Sequence, residues 1–360
     1  MISMRKLNSF LSGLVLIIAS LAVLLLAMEK KNSSSNKANS LVVYNWGDYI
    51  DPGLINKFQK ETGISVQYET FDSNEAMYTK IEQGGTRYDI AIPSDYMIDK
   101  MRREDLLVKL DKSQIKGLDN LGSQFMGKSF DPKNDYSIPY FWGTVGIVYN
   151  DTMIKNPPQH WTDLWNSDYK DSIMLVDGAR EVMGLGLNSL GYSLNSKNMS
   201  QLEQASDKLS QLTPNIKAIV GDEMKGYLKN SDAALGVTFS GEARDMLDAN
   251  PHLHYVLPSE GSNLWFDNIV IPKTVKNKKA AYAFINFMLE PKNAAQNAEY
   301  IGYATPNKTA QKLLPKEITS DKAFYPSDQV ISHLEVYNNL GAKWLGTYND
   351  LYLQFKMYRH

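Results

Sequence analysis

The chain of 360 residues contains no cysteine. That absence removes thiol nucleophiles, cysteine-based zinc and iron–sulfur sites, disulfides and the lipid-bearing cysteine of a lipobox. Histidine is scarce, at five. Only His252 and His254 fall close together; two strand positions apart they share a face and could clamp a metal, but a solvated strand edge is the preferred reading. Charge of one sign is lacking as well, since a formal net charge of −2 supplies no field to recruit nucleic acid. Enzyme signatures fail in turn. Gly184, Gly186 and Ser189 approximate a GxGxxG but sit inside a helical pattern, not in a strand-to-helix turn, and LNSLG has Leu187 where a nucleophile elbow needs glycine. No internal repeat is present.

What is there is apolar substance and pattern. With 43% hydrophobic residues, the length suits two domains. Arg5 and Lys6 precede an apolar run of 18 residues, 11 to 28, that ends at Glu29, Lys30 and Lys31. This run is longer than a usual signal core and nearly spans a bilayer, so residues 1–28 are expected to be an uncleaved anchor. Residues 29–40, rich in serine, asparagine and lysine, have nothing to bury and read as a flexible stalk. The folded part then begins near Leu41, outside the cytoplasm.

From Leu41 short β-rich runs alternate with helical ones. LVVYNW is a strand; Asp51 and Pro52 open a helix that Gly63 stops; ISVQYETF, YDIAIPS, GIVYN (146–150), DSIMLVD and LWFDNIVIPKT (264–274) are further strands. Helices are expected from Asp72 or Ser73 through Gln83, from the end of YDIAIPS to Leu107, over 179–191 and 198–212, and as a pair broken by Pro291. From Asp328 on, the spacing is helical. Strands between helices of this length imply βαβ units and a parallel, doubly wound sheet, with a second unit starting at GIVYN. The ligand crevice of such a sheet lies at the carboxyl ends of its strands.

At those ends aromatic rings recur beside acids: Trp46 and Tyr49 near Asp48, Tyr96 after Ser94, Trp265 beside Asp267, and Tyr303 in IGYATPN. One tryptophan in a loop is most often a core plug, but four recurrences at crevice positions point to a ligand. Rings with carboxylates suit a flexible organic cation, whose methylenes lie on ring faces while its ammonium groups meet π-faces and acids. A sugar would stack on the rings but would not call for the acids.

YNWGDYIDPGLINKFQKETG, SNEAMYTKI, YDIAIPSDY, FDPKNDYSIPYFWGT, DGARE, LWFDN and GYATPN together resemble the spermidine/putrescine-binding proteins of ABC-type polyamine importers. The resemblance runs from about Leu41 to the C-terminus. It implies an α/β, two-lobe type II periplasmic-binding-protein fold, each lobe a mixed sheet flanked by helices, with the ligand cleft between lobes that close by a hinge. The implied division is 41–143 plus 266–312 for lobe 1 and 144–265 plus 313–360 for lobe 2. It further implies a polyamine ligand, permease subunits as partners, no nucleic acid, no cofactor, no catalysis and a monomer.

Residue by residue, the resemblance assigns Trp46 and Tyr49 to the first aromatic pair and Ser94 and Tyr96 to the turn after the third strand. Glu181 and Asp267 become amine-binding acids, with Trp265 beside Asp267 and Tyr303 before the TPN turn. Three positions depart. Gly178 stands where a second acid is common, with Asp177 adjacent; Phe239 replaces a tryptophan, and Tyr337 a glutamine. These leave the choice between spermidine and putrescine open, with Glu242 a candidate for the missing acid. The alternatives are a type II binding protein for ferric iron, thiamine or a sugar, an extracytoplasmic hydrolase, and a sensor or adhesin of the same fold. Iron would ask for paired tyrosines, and no Tyr-Tyr occurs.

Overall fold

The computed structural model describes residues 39–357, so the expected anchor and nearly all of the stalk lie outside them. Among the described residues no helix is long and apolar enough to cross a membrane. The chain begins with β1 (Ser40–Trp46), α1 (Pro52–Thr62), β2 (Ser65–Phe71), α2 (Asn74–Gln83), β3 (Ile90–Ala91) and α3 (Asp95–Arg103). The local chemistry follows the sequence closely. Asp51 caps α1 by accepting from the Gly53 N–H at 2.7 Å, Pro52 takes the first helical position, and Gly63 ends the helix at φ 67°. Leu54 and Phe58 turn fully inward, each contributing about 1.5–3 kcal/mol of burial, with Phe58 edge-on to Phe284 and Phe287.

The second half carries β4 (Ser137–Asn150), β5 (Ile173–Val176), α4 (Ala179–Ser189), α5 (Met199–Leu212), β6 (Ile216–Val220) and α6 (Glu223–Lys229). Then come β7 (Leu235–Phe239), α7 (Ser240–Ala249), β8 (Leu253–Val256), β9 (Leu264–Val270), α8 (Lys278–Leu289) and α9 (Pro291–Ile301). Pro291 starts α9, as its missing N–H suits a first helical position.

The strands run in the order β2-β1-β3-β9-β4-β7-β5-β6, with β8 also on β4. β1, β2 and β3 are parallel, as are β5, β6 and β7, but β9 and β4 run antiparallel to their neighbours. The sheet is therefore mixed, not the parallel sheet that alternation alone predicts. GIVYN is not the start of a unit either: it is the last third of the 14-residue β4. Up to Thr144 this strand pairs with β9; from Val145 it pairs with β7, and β8 takes the side that β9 leaves. One strand thus belongs to both halves of the sheet.

Its length was hidden because nearly every residue is buried, so no polar alternation marks it, and because Pro139 and two glycines punctuate it. A Cβ on Gly143 would lie 2.4 Å from the Trp265 ring, and one on Gly146 2.5 Å from Tyr255. These glycines mark close packing, not turns. Other boundaries shift too, LWFDNIVIPKT ending as a strand at Val270 and DSIMLVD narrowing to Ile173–Val176. α3 ends at Arg103, not Leu107, because Asp105 takes φ 57°; YDIAIPS narrows to Ile90–Ala91; and helical spacing after Asp328 yields one turn, Asp328–Ile331, before the C-terminal helix Ala342–Met357.

Candidate functional site

Two pairs of parallel strands, β1 with β3 and β5 with β7, deliver the site by the same device, a short turn into a helix. β1 leads to Trp46 and Tyr49, β3 to Ser94 and Tyr96, β5 to Gly178 and Glu181, and β7 to Phe239 and Glu242. The antiparallel β9 adds Trp265 and Asp267, two apart and so on one face.

Asp267 is the centre of one end. Its carboxylate accepts from the Tyr49 hydroxyl at 2.5 Å and from Ser94 Oγ at 2.7 Å, and only 7% of it is exposed. Burial lifts its carboxyl to about 6, the two hydroxyls limiting the rise by bonding the charged form. Burial, then the charge of Asp267, holds the Tyr49 hydroxyl well above its usual range. Asn74 ties this end together: its Oδ1 accepts from the Ser94 N–H at 3.0 Å, and its Nδ2 donates to Ser94 Oγ at 3.0 Å and Tyr96 Oη at 3.2 Å. Tyr96 in turn donates to Glu75 at 3.1 Å. Beneath them Asp95, fully buried, accepts from the backbone N–H groups of Tyr96 and Phe266; burial raises it to about 8, the two N–H groups opposing the rise.

The rings form a continuous wall. Tyr303 is edge-on to Tyr49 at 5.3 Å and to Trp265 at 5.4 Å, and Phe239 meets Trp265 at 6.3 Å. Tyr303 lies flush on Gly241, where any Cβ would fall inside the ring, and its hydroxyl donates to Glu242 at 2.9 Å. Trp46 stands apart from this wall, half-buried and tilted on Phe71 at 4.6 Å.

The other end is Glu181, in the first turn of α4. A Cβ on Gly178 would lie 2.1 Å from its Oε2. The missing side chain is thus what lets the glutamate fold back over the helix N-terminus, where its own N–H bonds it. Burial raises its carboxyl, against the opposing pull of that N–H, Arg180 and the Tyr337 hydroxyl; Glu75 pushes the same way as burial. Tyr337 is buried here under the Arg180 guanidinium, 4.2 Å from its ring.

The structure thus gathers Tyr49, Ser94, Tyr96, Phe239, Trp265, Asp267 and Tyr303 along one wall, and Glu181 with Tyr337 at its end. It does not gather Asp177, whose carboxylate is engaged by Lys356 at 2.7 Å and by the Tyr352 hydroxyl on the C-terminal helix. Glu242 is paired with Lys225 at 2.7 Å. His252 and His254 both turn to Asp151, at 3.1 and 2.8 Å, on the exposed edge, and no cluster of three metal-binding groups occurs among the described residues. Sequence reasoning passed over Asn74, Glu75 and Asp95; in SNEAMY and PSDY they look like the capping residues of α2 and α3, and that signal masks any other.

Residues 53–326 match the family described as bacterial extracellular solute-binding protein. The chain is 41% identical over 336 residues to the spermidine/putrescine-binding periplasmic protein of Salmonella typhimurium, spanning 92% of this chain and 95% of that one. It is 31% identical over 325 residues to a putrescine-binding periplasmic protein of Pseudomonas aeruginosa, spanning 84% and 88%. The crystal structure of the spermidine/putrescine ABC transporter substrate-binding protein of Streptococcus pneumoniae superposes with a TM-score of 0.85 at 68% identity, over 89% of this chain and 100% of that one. These relatives are substrate-binding proteins. The chain belongs to the bacterial extracellular solute-binding protein family, as a two-lobe type II member of the group named for spermidine and putrescine.

Proposed function

We propose that this chain is the extracytoplasmic receptor that captures spermidine or putrescine and passes it to the permease of an ABC importer, performing no chemistry itself. One observation carries the reading: Asp267 is a buried carboxylate held by two hydroxyls beside three packed rings, and among the described residues no basic side chain contributes to its charge balance. A buried acid without a cation is costly unless something brings one. A polyamine does, and its methylenes suit Tyr49, Trp265 and Tyr303. Glu181 supplies the second acid, with Tyr96, Phe239 and Tyr337 between, and Trp46 at the rim.

The rings touch one another, so the ligand enters when the lobes part. We take the lobes as 41–143 plus 266–312 and 144–265 plus 313–360, with β4 passing between them at Thr144. The chain acts as a monomer, tethered to the outer face of the membrane by residues 1–28. The similarity to spermidine- and putrescine-binding relatives supports the ligand class. A thermal-shift panel of putrescine, cadaverine, spermidine, spermine, thiamine and maltose tests it: ligand at a hundred times its dissociation constant adds about 2.7 kcal/mol. Stabilisation by maltose or thiamine and by no amine would overturn the reading.

A further inference from the structure

Glu242 lies in the first turn of α7, and its Oε1 accepts from the Tyr303 hydroxyl at 2.9 Å. The Tyr303 ring packs on Tyr49 and Trp265, so Glu242 is the carboxylate at the outer end of the ring wall. Its other oxygen is buried and accepts no aligned hydrogen bond among the described residues, but it is ion-paired. The Lys225 ammonium, from α6, stands 2.7 Å from Oε2, with 31% of the lysine side chain and 25% of the glutamate side chain exposed. Asp222 and Asp245 also face this ammonium, and Lys229 answers Asp245 at 2.7 Å. A primary ammonium on a flexible methylene stem, seated on an acid at the edge of aromatic rings, has the chemistry of a polyamine end.

We propose that Lys225 is a built-in occupant of this outer acid and so a specificity-determining residue: by cancelling Glu242 it leaves the trough offering Asp267 at one end and Glu181, with Glu75 beside it, at the other, and withholds a full charge beyond the ring wall. The inference rests on the polyamine reading above. An additional amine reaching Glu242 must displace Lys225 and leave that half-buried ammonium without its acid, so the wild-type chain gains little from a third charge. With the lysine neutralised, Glu242 and Asp222 become an unoccupied acidic end to the ring wall.

The test is calorimetry of putrescine and spermidine on the full chain in detergent, with thermal unfolding of each variant as the check on folding. Lys225→Met is expected to raise spermidine affinity relative to putrescine by about tenfold over the wild-type ratio, one charge-assisted contact being gained. Lys225→Gln, a second neutral variant, is expected to shift the ratio in the same direction. Adding Glu242→Gln to Lys225→Met removes the gain, and Lys229→Met, the same charge change on the same helix, leaves the ratio unchanged. A Lys225→Met ratio within twofold of wild type, a gain that survives Glu242→Gln, or an equal gain in Lys229→Met would overturn the proposal. Failure of the wild-type chain to bind either amine is a separate outcome: it sinks the polyamine reading and takes this inference with it.

Discussion

On the proposed reading, Asp267 meets an ammonium at a buried position, only 7% exposed. At about 4 Å and an effective dielectric of about 20, the pair attracts by roughly 4 kcal/mol before desolvation is counted, so the net contribution is smaller. Truncating one partner of a buried, hydrogen-bonded charge pair costs ~2–5 kcal/mol, and Asp267→Asn is therefore expected to weaken polyamine binding at least about thirtyfold while the chain still folds. Trp265→Leu removes ring contact but keeps the charge, at a cost on the order of 1–2 kcal/mol. Calorimetry that finds Asp267→Asn within threefold of wild type removes Asp267 from the site. The same carboxyl sets a pH dependence. Its folded pKa of about 6 lies above that of an ordinary aspartate, so the folded chain binds the extra proton and this group destabilises the empty protein as pH rises through about 6. Protons and ammonium groups compete for one carboxylate. Through this carboxyl, affinity is expected to fall by up to about tenfold per unit as pH drops from about 7 to below about 6. An affinity unchanged between those pH values and pH 5 would contradict the role.

At the scale of elements, β4 packs closely against Trp265 and Tyr255 because two of its residues have no side chain. Gly143→Ala puts a methyl group into the Trp265 ring and Ser240 Oγ, at 2.4 and 2.5 Å from its position, and is expected to destabilise by about 1–3 kcal/mol through overpacking. Because Trp265 is the atom group displaced, the same variant should also weaken amine binding. Gly226 is the contrast: it sits in α6, exposed, with nothing within 4 Å of an added Cβ. Gly226→Ala is expected to stabilise by about 0.5–1 kcal/mol, from helix propensity and a less flexible unfolded chain. Chemical denaturation of the two variants side by side tests both signs, and equal behaviour would mean that the glycines of β4 are not packing residues.

At the scale of the whole molecule, the proposed lobes share the strand β4, which pairs with β9 and then with β7. A ligand that touches acids on both shifts the population towards the closed arrangement, because only there are Asp267 and Glu181 presented together. Small-angle scattering is expected to show a smaller radius of gyration at saturating polyamine; no change would argue against closure. Tethering is tested separately, by fractionation. The chain should remain with the membrane after washing removes loosely held protein, and a mature N-terminus beginning after Met28 on protein free in the medium would contradict an anchor.

Much of this was legible locally. The cap at Asp51, the stop at Gly63, the break at Pro291 and the strand-to-helix turns at Trp46, Ser94 and Gly178 depend on neighbouring residues alone, and short-range sterics and hydrogen bonds decide them. Trp46, Ser94, Glu181 and Phe239 stand out in the sequence because each falls where a strand gives way to a helix, whereas Asp267 lies in the middle of β9. What only the tertiary structure decided is pairing over distance. The direction of β9, the passage of β4 from β9 to β7, the burial that lifts Asp267 to about 6, the claim of Lys356 on Asp177 and that of Lys225 on Glu242 each join residues from separate elements. A sequence records a residue's neighbours along the chain, whereas an electric field and a packed contact depend on neighbours in space.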